Sequence, residues 1–307
     1  MTDRVSRALA AAIAVAGAHG LTTADPVLLH DGVNVVVHLR PAPVVARVAT
    51  LTPLLRPRID RPFGREVALA TALAAAGAPV IPPSDELPPG PHQHDGLTLS
   101  FWRYVQVLPE PPTAVEAGRT LAQLHAVLAD SGANIAADVA AEPGWTGDPL
   151  DTPLDDLAVF AARGRRLGAP ADLVERSTEL TERLRPRLTG PAMALHGDAH
   201  PGNLLVTADG LRWTDLEDTC RGPRAWDLAS LRTTGRLDGR AALDAMPDPV
   251  PDEELAPFRW LRLLYTGAWW FVHAAREPGH LPEARQRLQA AVEEVSAGLA
   301  AGRRGRA

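Results

Sequence analysis

The chain contains no lysine, and all 31 of its Lys and Arg positions are arginine. That absence excludes a Walker-type phosphate loop ending in Gly-Lys-Ser/Thr, a lysine Schiff base and a lysine general base, because no ammonium is there to supply them. Cysteine is nearly absent too. The single Cys220 closes no intramolecular disulfide and forms no Cys-rich zinc site by itself, which points to a reducing, cytoplasmic setting. No run approaches the roughly 20 strongly apolar residues of a membrane span, so no membrane partner is expected. Excess positive charge is lacking as well: the net charge is −6. The arginines are scattered among acids apart from a short tail at Arg303, Arg304 and Arg306, which argues against broad nucleic-acid binding. What is present is ordinary globular composition, 307 residues with 46% hydrophobic and 22% charged, enough for two compact lobes.

Arg4 and Arg7 precede an Ala-rich run at 8–18 that copies the layout of a secretory signal. Only Leu9, Ile13 and Val15 in it are strongly hydrophobic, and it leads through Gly20 into strand-like sequence, so it reads as a helix. Residues 26–30, 33–39 and 43–49 are β-rich and separated by turn signals, as in an antiparallel meander. Residues 62–76 switch to helical spacing, 79–96 form a Pro-rich loop with an edge strand, and 97–102 read as a buried strand. The expected architecture is α+β and bilobal: a small antiparallel-sheet lobe with one main helix at 1–103, then a larger, mainly helical lobe at 104–307. Helices are expected near 113–128, 154–167, 171–188, 226–233, 253–275 and 282–299. Short strands at 192–195, 204–207 and 211–214 interrupt them, with Ala208-Asp209-Gly210 as a hairpin turn. No repeat of fixed period is seen.

The polar residues gather in that β interruption. The run His196-Gly197-Asp198-Ala199-His200-Pro201-Gly202-Asn203 is followed, past the hairpin, by Trp213-Thr214-Asp215-Leu216-Glu217. Such oxygen ligands suit Mg²⁺. In phosphoryl transfer a loop Asp accepts the nucleophile's proton, an Asn five residues later holds one Mg²⁺, and an Asp at a strand end holds the metal bridging the phosphates. Asp198, Asn203 and Asp215 match those roles in that order. The triplet His196, Asp198, His200 also spells a transition-metal pattern of some hydrolases, but that reading leaves Asn203 and Asp215 unexplained. His196 then reads as structural and His200 as an orienting residue.

With those residues in place, the sequence resembles the aminoglycoside phosphotransferase group of the protein-kinase-like fold, with choline-kinase-like and homoserine-kinase-like relatives. The resemblance extends over nearly the whole chain. Trp226-Asp227-Leu228-Ala229 resembles the segment whose aspartate braces the catalytic loop, and Leu121-Ala122-Gln123-Leu124-His125 the large-lobe helix ending in Leu-His. Upstream, Asp31-Gly32-Val33-Asn34-Val35 resembles a degenerate nucleotide loop, Val45-Ala46-Arg47-Val48 the third strand, and Arg65-Glu66 the start of the small-lobe helix. The resemblance implies Asp198 as catalytic residue, Asn203 and Asp215 as metal ligands, and Gly32, Asn34, Arg47 and Glu66 as nucleotide-binding residues. ATP and Mg²⁺ follow as cofactors, with adenine against a hinge at 99–104. The departures are Arg47 where Lys is frequent, and a loop reduced to the one glycine, Gly32.

The function so implied is transfer of the γ-phosphate of ATP to a hydroxyl of a small molecule, an aminoglycoside-like antibiotic or a hydroxylated metabolite. A catalytically silent nucleotide-binding regulator on the same fold and a nucleotidyl transferase are the alternatives. Trp260, Tyr265, Trp269, Trp270 and Phe271 share one helical segment and read mostly as core, with room for a ring facing substrate. The acidic stretches 151–156 and 248–254 read mostly as solvated surface, with attraction of a polyamine as the functional alternative. Cys220 reads as a small buried hydrophobe.

Overall fold

The computed structural model describes residues 2–130 and 148–304; the side chains of the basic tail lie outside the described part. Helix α1 (Asp3–Ala18) starts at an N-cap threonine, Thr2, and buries Val5, Ala8, Ala12 and Val15 at helical spacing. Its alanines let it lie close against a five-stranded antiparallel sheet of order β1-β2-β3-β5-β4. These strands are β1 (Val27–Asp31), β2 (Asn34–His38), β3 (Val44–Ala49), the short edge strand β4 (His92–His94) and β5 (Leu97–Arg103). The period of two sorts the faces of β3. Val44, Ala46 and Val48 join the core under α1, whereas Val45 and Arg47 face the opposite side with Val36. Helix α2 (Asp60–Ala75) then runs behind the sheet, burying Phe63, Glu66, Leu69 and Leu73.

The remainder is helical as expected: α3 (Ala114–Asp130), α4 (Asp151–Arg163), α5 (Ala171–Leu184), α6 (Ala225–Thr233), α7 (Gly239–Asp244), α8 (Asp252–Arg276) and α9 (Leu281–Arg304). Two predicted helices run too long in the sequence reading, because 3-10 turns at Gly164–Leu167 and Arg185–Arg187 end them. Gly168 in the left-handed region and Pro186 supply the stops. Helix α7 was not anticipated; it is one and a half turns long and nucleated by Asp238, whose side chain caps Arg240 and Ala241. Strand β9 (Arg221–Pro223) was also missed, since three residues carry no period and its partner β6 (Ala192–Ala194) lies far back in the chain. The hairpin β7 (Leu204–Thr207) and β8 (Gly210–Trp213) has the expected register.

The two lobes share a core. An apolar cluster joins Leu69 and Leu73 of α2, Val80 and Ile81 of the following loop, Leu121 of α3, Leu204 of β7 and Trp213 of β8. Backbone bonds stitch the same junction: Ile81 N–H donates to the Trp213 carbonyl (2.8 Å) and Trp213 N–H to the Pro79 carbonyl (2.7 Å). Among the described residues no helix is long and apolar enough to cross a membrane.

Candidate active site

The loop after β6 is held by one buried carboxylate. Asp227, in the first turn of α6, accepts the backbone N–H of His196 and of Gly197 (both 2.9 Å) and the Nε2–H of His125 from α3 (2.9 Å). Burial opposes its charge, but these donors hold the carboxyl below its usual range. Gly197 is required here. Its φ is +88°, and an added Cβ would sit 1.9 Å from the Asp218 carbonyl oxygen. Its own carbonyl accepts Trp226 Nε1–H and Arg262 Nη1–H, both at 2.8 Å. His196 is fully buried, which lowers its pKa and keeps it neutral. Its Nε2–H donates to Thr214 O (3.1 Å) and its Nδ1 accepts Asp198 N–H (3.3 Å), so both contacts call for the same tautomer. This ties the loop to the end of β8.

Asp198 emerges from that frame half-buried. One oxygen is paired with Arg262 of α8; the other receives Asn203 Nδ2–H (3.2 Å) and lies 3.4 Å from His200 Nε2. Burial raises a carboxyl, yet the Arg262 guanidinium and His200 hold Asp198 well below the usual range. His200 in turn is raised despite burial, chiefly by Asp198. His200 also orients the turn, its Nδ1 accepting Gly202 N–H at 2.9 Å. Asn203 gives Nδ2–H to Asp198 twice over, to the side chain and to the carbonyl (3.0 Å). Among the described residues its Oδ1 accepts nothing, and Asp215 stands 39% exposed in the left-handed region (φ 64°) at the end of β8. These are hard oxygen donors of the kind Mg²⁺ takes. Among the described residues no group of three His, Cys, Asp or Glu forms a ready-made cage. Mg²⁺ ordinarily needs none, since one or two protein oxygens plus phosphates and waters complete its shell.

Arg47 and Glu66 form a buried two-point pair, Nη1 to Oε1 at 2.9 Å and Nη2 to Oε2 at 2.6 Å. Arg47 also reaches Asp215 and Glu217, each at 2.5 Å, and its guanidinium lies over the Phe63 ring. Burial works against its charge, but Glu66, Asp215 and Glu217 together raise its pKa further. Glu66 additionally accepts Leu216 N–H (2.9 Å), so α2 is docked to the segment after β8. A second arginine, Arg56, leaves the small lobe just after β3 and enters the large one. It holds Asp156 of α4 (Nη2 to Oδ2 2.7 Å), Glu217 (2.9 Å), Asp218 and the Tyr265 hydroxyl (3.0 Å). Burial pushes the bridging Glu217 carboxyl up to about 7 against the pull of Arg47 and Arg56.

Two cavities meet at Asp215. One, of about 380 Å³, lies under the sheet between Val36, Val45 and Arg47 above, Asn203 and Leu205 below, and residues 102–105 at the back. The other, of about 360 Å³, lies between Val33 and Asn34 of the small lobe and the α6 and α8 faces of the large one, with Asp198 on its wall. Asp198, Asn203, Asp215, Arg47 and Glu66 are thus brought together. Gly32 and Asn34 are not among the residues lining the first cavity. The Gly32 N–H donates to the Asn34 carbonyl (3.0 Å), while the Asn34 side chain donates to Glu217 (2.9 Å) and accepts from Thr52 (2.6 Å).

A family model described as a phosphotransferase enzyme family matches residues 28–248. The chain belongs to that phosphotransferase family. A search of curated proteins returned no significant match. Among solved structures, a choline/ethanolamine kinase family protein from Mesorhizobium loti is 20% identical with a TM-score of 0.59, over 97% of this chain and 98% of that one. A GDP complex of wild-type aminoglycoside 2′-phosphotransferase-IIIa is 14% identical with a TM-score of 0.62, covering 95% and 99%. A microcompartment-associated aminopropanol kinase is 17% identical with a TM-score of 0.63, covering 94% and 98%. At these identities the likeness establishes the bilobal protein-kinase-like fold, and the family match supports a small-molecule phosphotransferase as the class of function.

Within this phosphotransferase fold, Arg56, Arg262, Glu217 and Asp218 escaped the sequence reading. Arg262 did leave a trace: it is flanked by Leu261 and Leu263 on an otherwise apolar stretch of α8, where an unexplained charge asks for a buried partner. The two acidic stretches differ: Asp151 and Asp156 are buried, Asp156 on Arg56, whereas Asp248, Glu253 and Glu254 are exposed surface and Asp252 pairs there with Arg232 and Arg240.

Proposed function

We propose that the chain transfers the γ-phosphoryl group of ATP, with Mg²⁺, to a hydroxyl group of a small molecule. One observation carries this reading. Asp198, Asn203 and Asp215 stand where the two cavities meet, with Arg47 fixed beside them by Glu66. Adenine would lie against residues 102–105 of the first cavity, which overlap the expected hinge at 99–104, and the acceptor would occupy the cavity under α8. Asn203 and Asp215 would hold Mg²⁺, which would supply neutralisation of the charge developing on the phosphate oxygens. Arg47 keeps a permanent charge at the same point. Asp198 orients the acceptor hydroxyl and takes its proton as the oxygen joins phosphorus and the bond to the bridging oxygen breaks. A carboxylate held this far below its usual range is a weak base, which suits a loose transition state in which the proton leaves late. Arg262 occupies one Asp198 oxygen and so presents the other. The test is a labelled-ATP screen over hydroxylated compounds with Mg²⁺, in which Asp198→Asn should cut labelling by about 10²-fold or more and retain nucleotide binding.

One feature favours a second reading, a silent nucleotide-binding regulator: the Arg47 guanidinium is shared among Glu66, Asp215 and Glu217. Under that reading nucleotide binds while no compound acquires label. A product heavier by a nucleotide monophosphate rather than by one phosphate would instead mark nucleotidyl transfer.

A further inference from the structure

Three basic side chains line the cavity under the sheet: His30, Arg47 and Arg103. Arg47 is shared among the carboxylates of Glu66, Asp215 and Glu217, so its positive charge is already more than balanced by the chain itself. Arg103 belongs to the other end of the cavity. It pairs with Asp85 on the surface and stands opposite Val44, next to the row in which Val45 faces Trp102. His30, near the end of β1, is exposed and among the described residues makes no hydrogen bond or ion pair. Strand register fixes where it stands. His30 lies opposite Val36 and Val36 opposite Arg47, so the three share one row across β1, β2 and β3, and all of them line the cavity. That row is two residues nearer the β1–β2 turn than the row of Val45, on the side where Arg47 meets Asp215. His30 and Arg47 therefore flank Val36 at about 10 Å from each other, two strand spacings.

The turn beyond His30 is anchored from both lobes. Arg4 of α1 donates to the Asp31 carboxylate, the Gly32 carbonyl (3.2 Å) and the Thr50 hydroxyl (2.6 Å), and Arg276 of α8 donates to the Asp31 carbonyl. The Thr50 hydroxyl gives its own proton to the Val33 carbonyl (2.9 Å). Both arginines lie outside the segment 28–248 that the family model matches. The single glycine of the turn serves the same ring: a Cβ on Gly32 would collide with His30 Nε2, so the bare Cα is what lets the imidazole lie across the turn. With no lysine in the chain and one glycine in this loop, the phosphates are offered neither an ammonium nor a run of backbone N–H groups. We infer that His30 fills that gap as a polyphosphate-contacting residue, its ring N–H donating to a nonbridging oxygen of the β- or γ-phosphate, with Arg47 on the other side of Val36. This rests on the reading of the cavity under the sheet as the nucleotide site.

The test measures affinity by calorimetry for adenosine, AMP, MgADP and MgATP, using the full chain as wild type, His30→Ala and His30→Lys. His30→Ala should weaken MgATP binding about tenfold or more, the scale of one hydrogen bond to a charged group, and leave adenosine within about twofold. His30→Lys gives the chain the ammonium it lacks and should return MgATP affinity to within about threefold of wild type or tighter. A merely structural role for the ring would weaken adenosine and MgATP alike, and that result overturns the inference. So does unchanged MgATP affinity in His30→Ala, or no recovery in His30→Lys. The two readings fail separately. Wild type that binds MgATP while His30→Ala binds it equally well refutes the inference alone, whereas wild type that binds no member of the series refutes the nucleotide site itself and the inference with it.

Discussion

The two cavities that meet at Asp215 are built from different materials. The one under the sheet has walls of Val36, Val45, Ile81 and Leu205, set by strand register and by local backbone. The one under α8 has walls of ion-paired side chains whose partners come from distant parts of the chain: Asp198 with Arg262, and Glu217 and Asp218 with Arg56 behind them. Apolar walls tolerate conservative change, because a lost methylene group costs only about 1 kcal/mol. Ion-paired walls do not, since removal of one partner leaves a buried charge uncompensated at about 3–5 kcal/mol. Specificity for the acceptor should therefore be brittle, and tolerance should lie on the nucleotide side.

The widest separation of the two cavities is expected from Asp198→Asn. Transfer should fall about 10²–10⁴-fold, the usual contribution of an acid–base group, while nucleotide affinity measured by calorimetry stays within about twofold. A parallel loss of nucleotide affinity would show that the cavities are not independent. Next in size is Arg56→Met, which strips Asp156 and Asp218 of their guanidinium and should cost about 3–5 kcal/mol in urea unfolding. A stability change near zero would contradict the contrast between walls.

Asp227→Asn probes the frame common to both cavities, and its effect depends on pH. The folded carboxyl is held below its unfolded value of about 3.9, so its contribution is fully present above that value and fades as pH falls through the folded pKa. Urea unfolding from pH 7 to pH 2 should show wild type losing this advantage in acid, with the two stability curves converging there. A constant gap between them would refute the assignment. Smaller still should be Asp215→Ala, with loss of Mg²⁺-dependent nucleotide affinity of about tenfold or more, ~1.4 kcal/mol per decade, and no change in affinity without metal. Arg47→Lys should have the least effect on transfer, since charge is kept, while the two-point geometry toward Glu66 and the simultaneous reach to Asp215 and Glu217 are lost. A modest rise in KM for nucleotide, with kcat little changed, would place Arg47 on the nucleotide side of the comparison.

Legibility in the sequence follows the same division. The meander, α1 and α2 could be read because their period and turn residues are local, and so could the spacing of Asp198, Asn203 and Asp215. The His125–Asp227 contact was open only to family resemblance, because the residues are 102 positions apart and neither disturbs its own helix. Arg56 was hidden because its neighbours Leu55 and Pro57 look like any loop, and its meaning lies in three carboxylates from distant segments. Asn34 shows the reverse case. Its place beside Gly32 suggested a loop facing nucleotide, while alternation along β2 sends its side chain to Glu217 and Thr52.

The stitching of residues 79–81 to Trp213 has a consequence for synthesis. The small lobe's loop must wait for a partner about 130 residues further along the chain before its backbone groups are satisfied. At a typical 5–20 residues per second that wait is roughly 7–26 s. During this interval α2 and the sheet are on the ribosome with the Leu69 and Leu73 face uncovered, so the N-terminal lobe is an intermediate in need of shielding rather than an early-folding unit. A nascent chain stalled near residue 110 should therefore be protease-sensitive across 60–81, and one stalled well past β8 and its exit through the tunnel should be protected there.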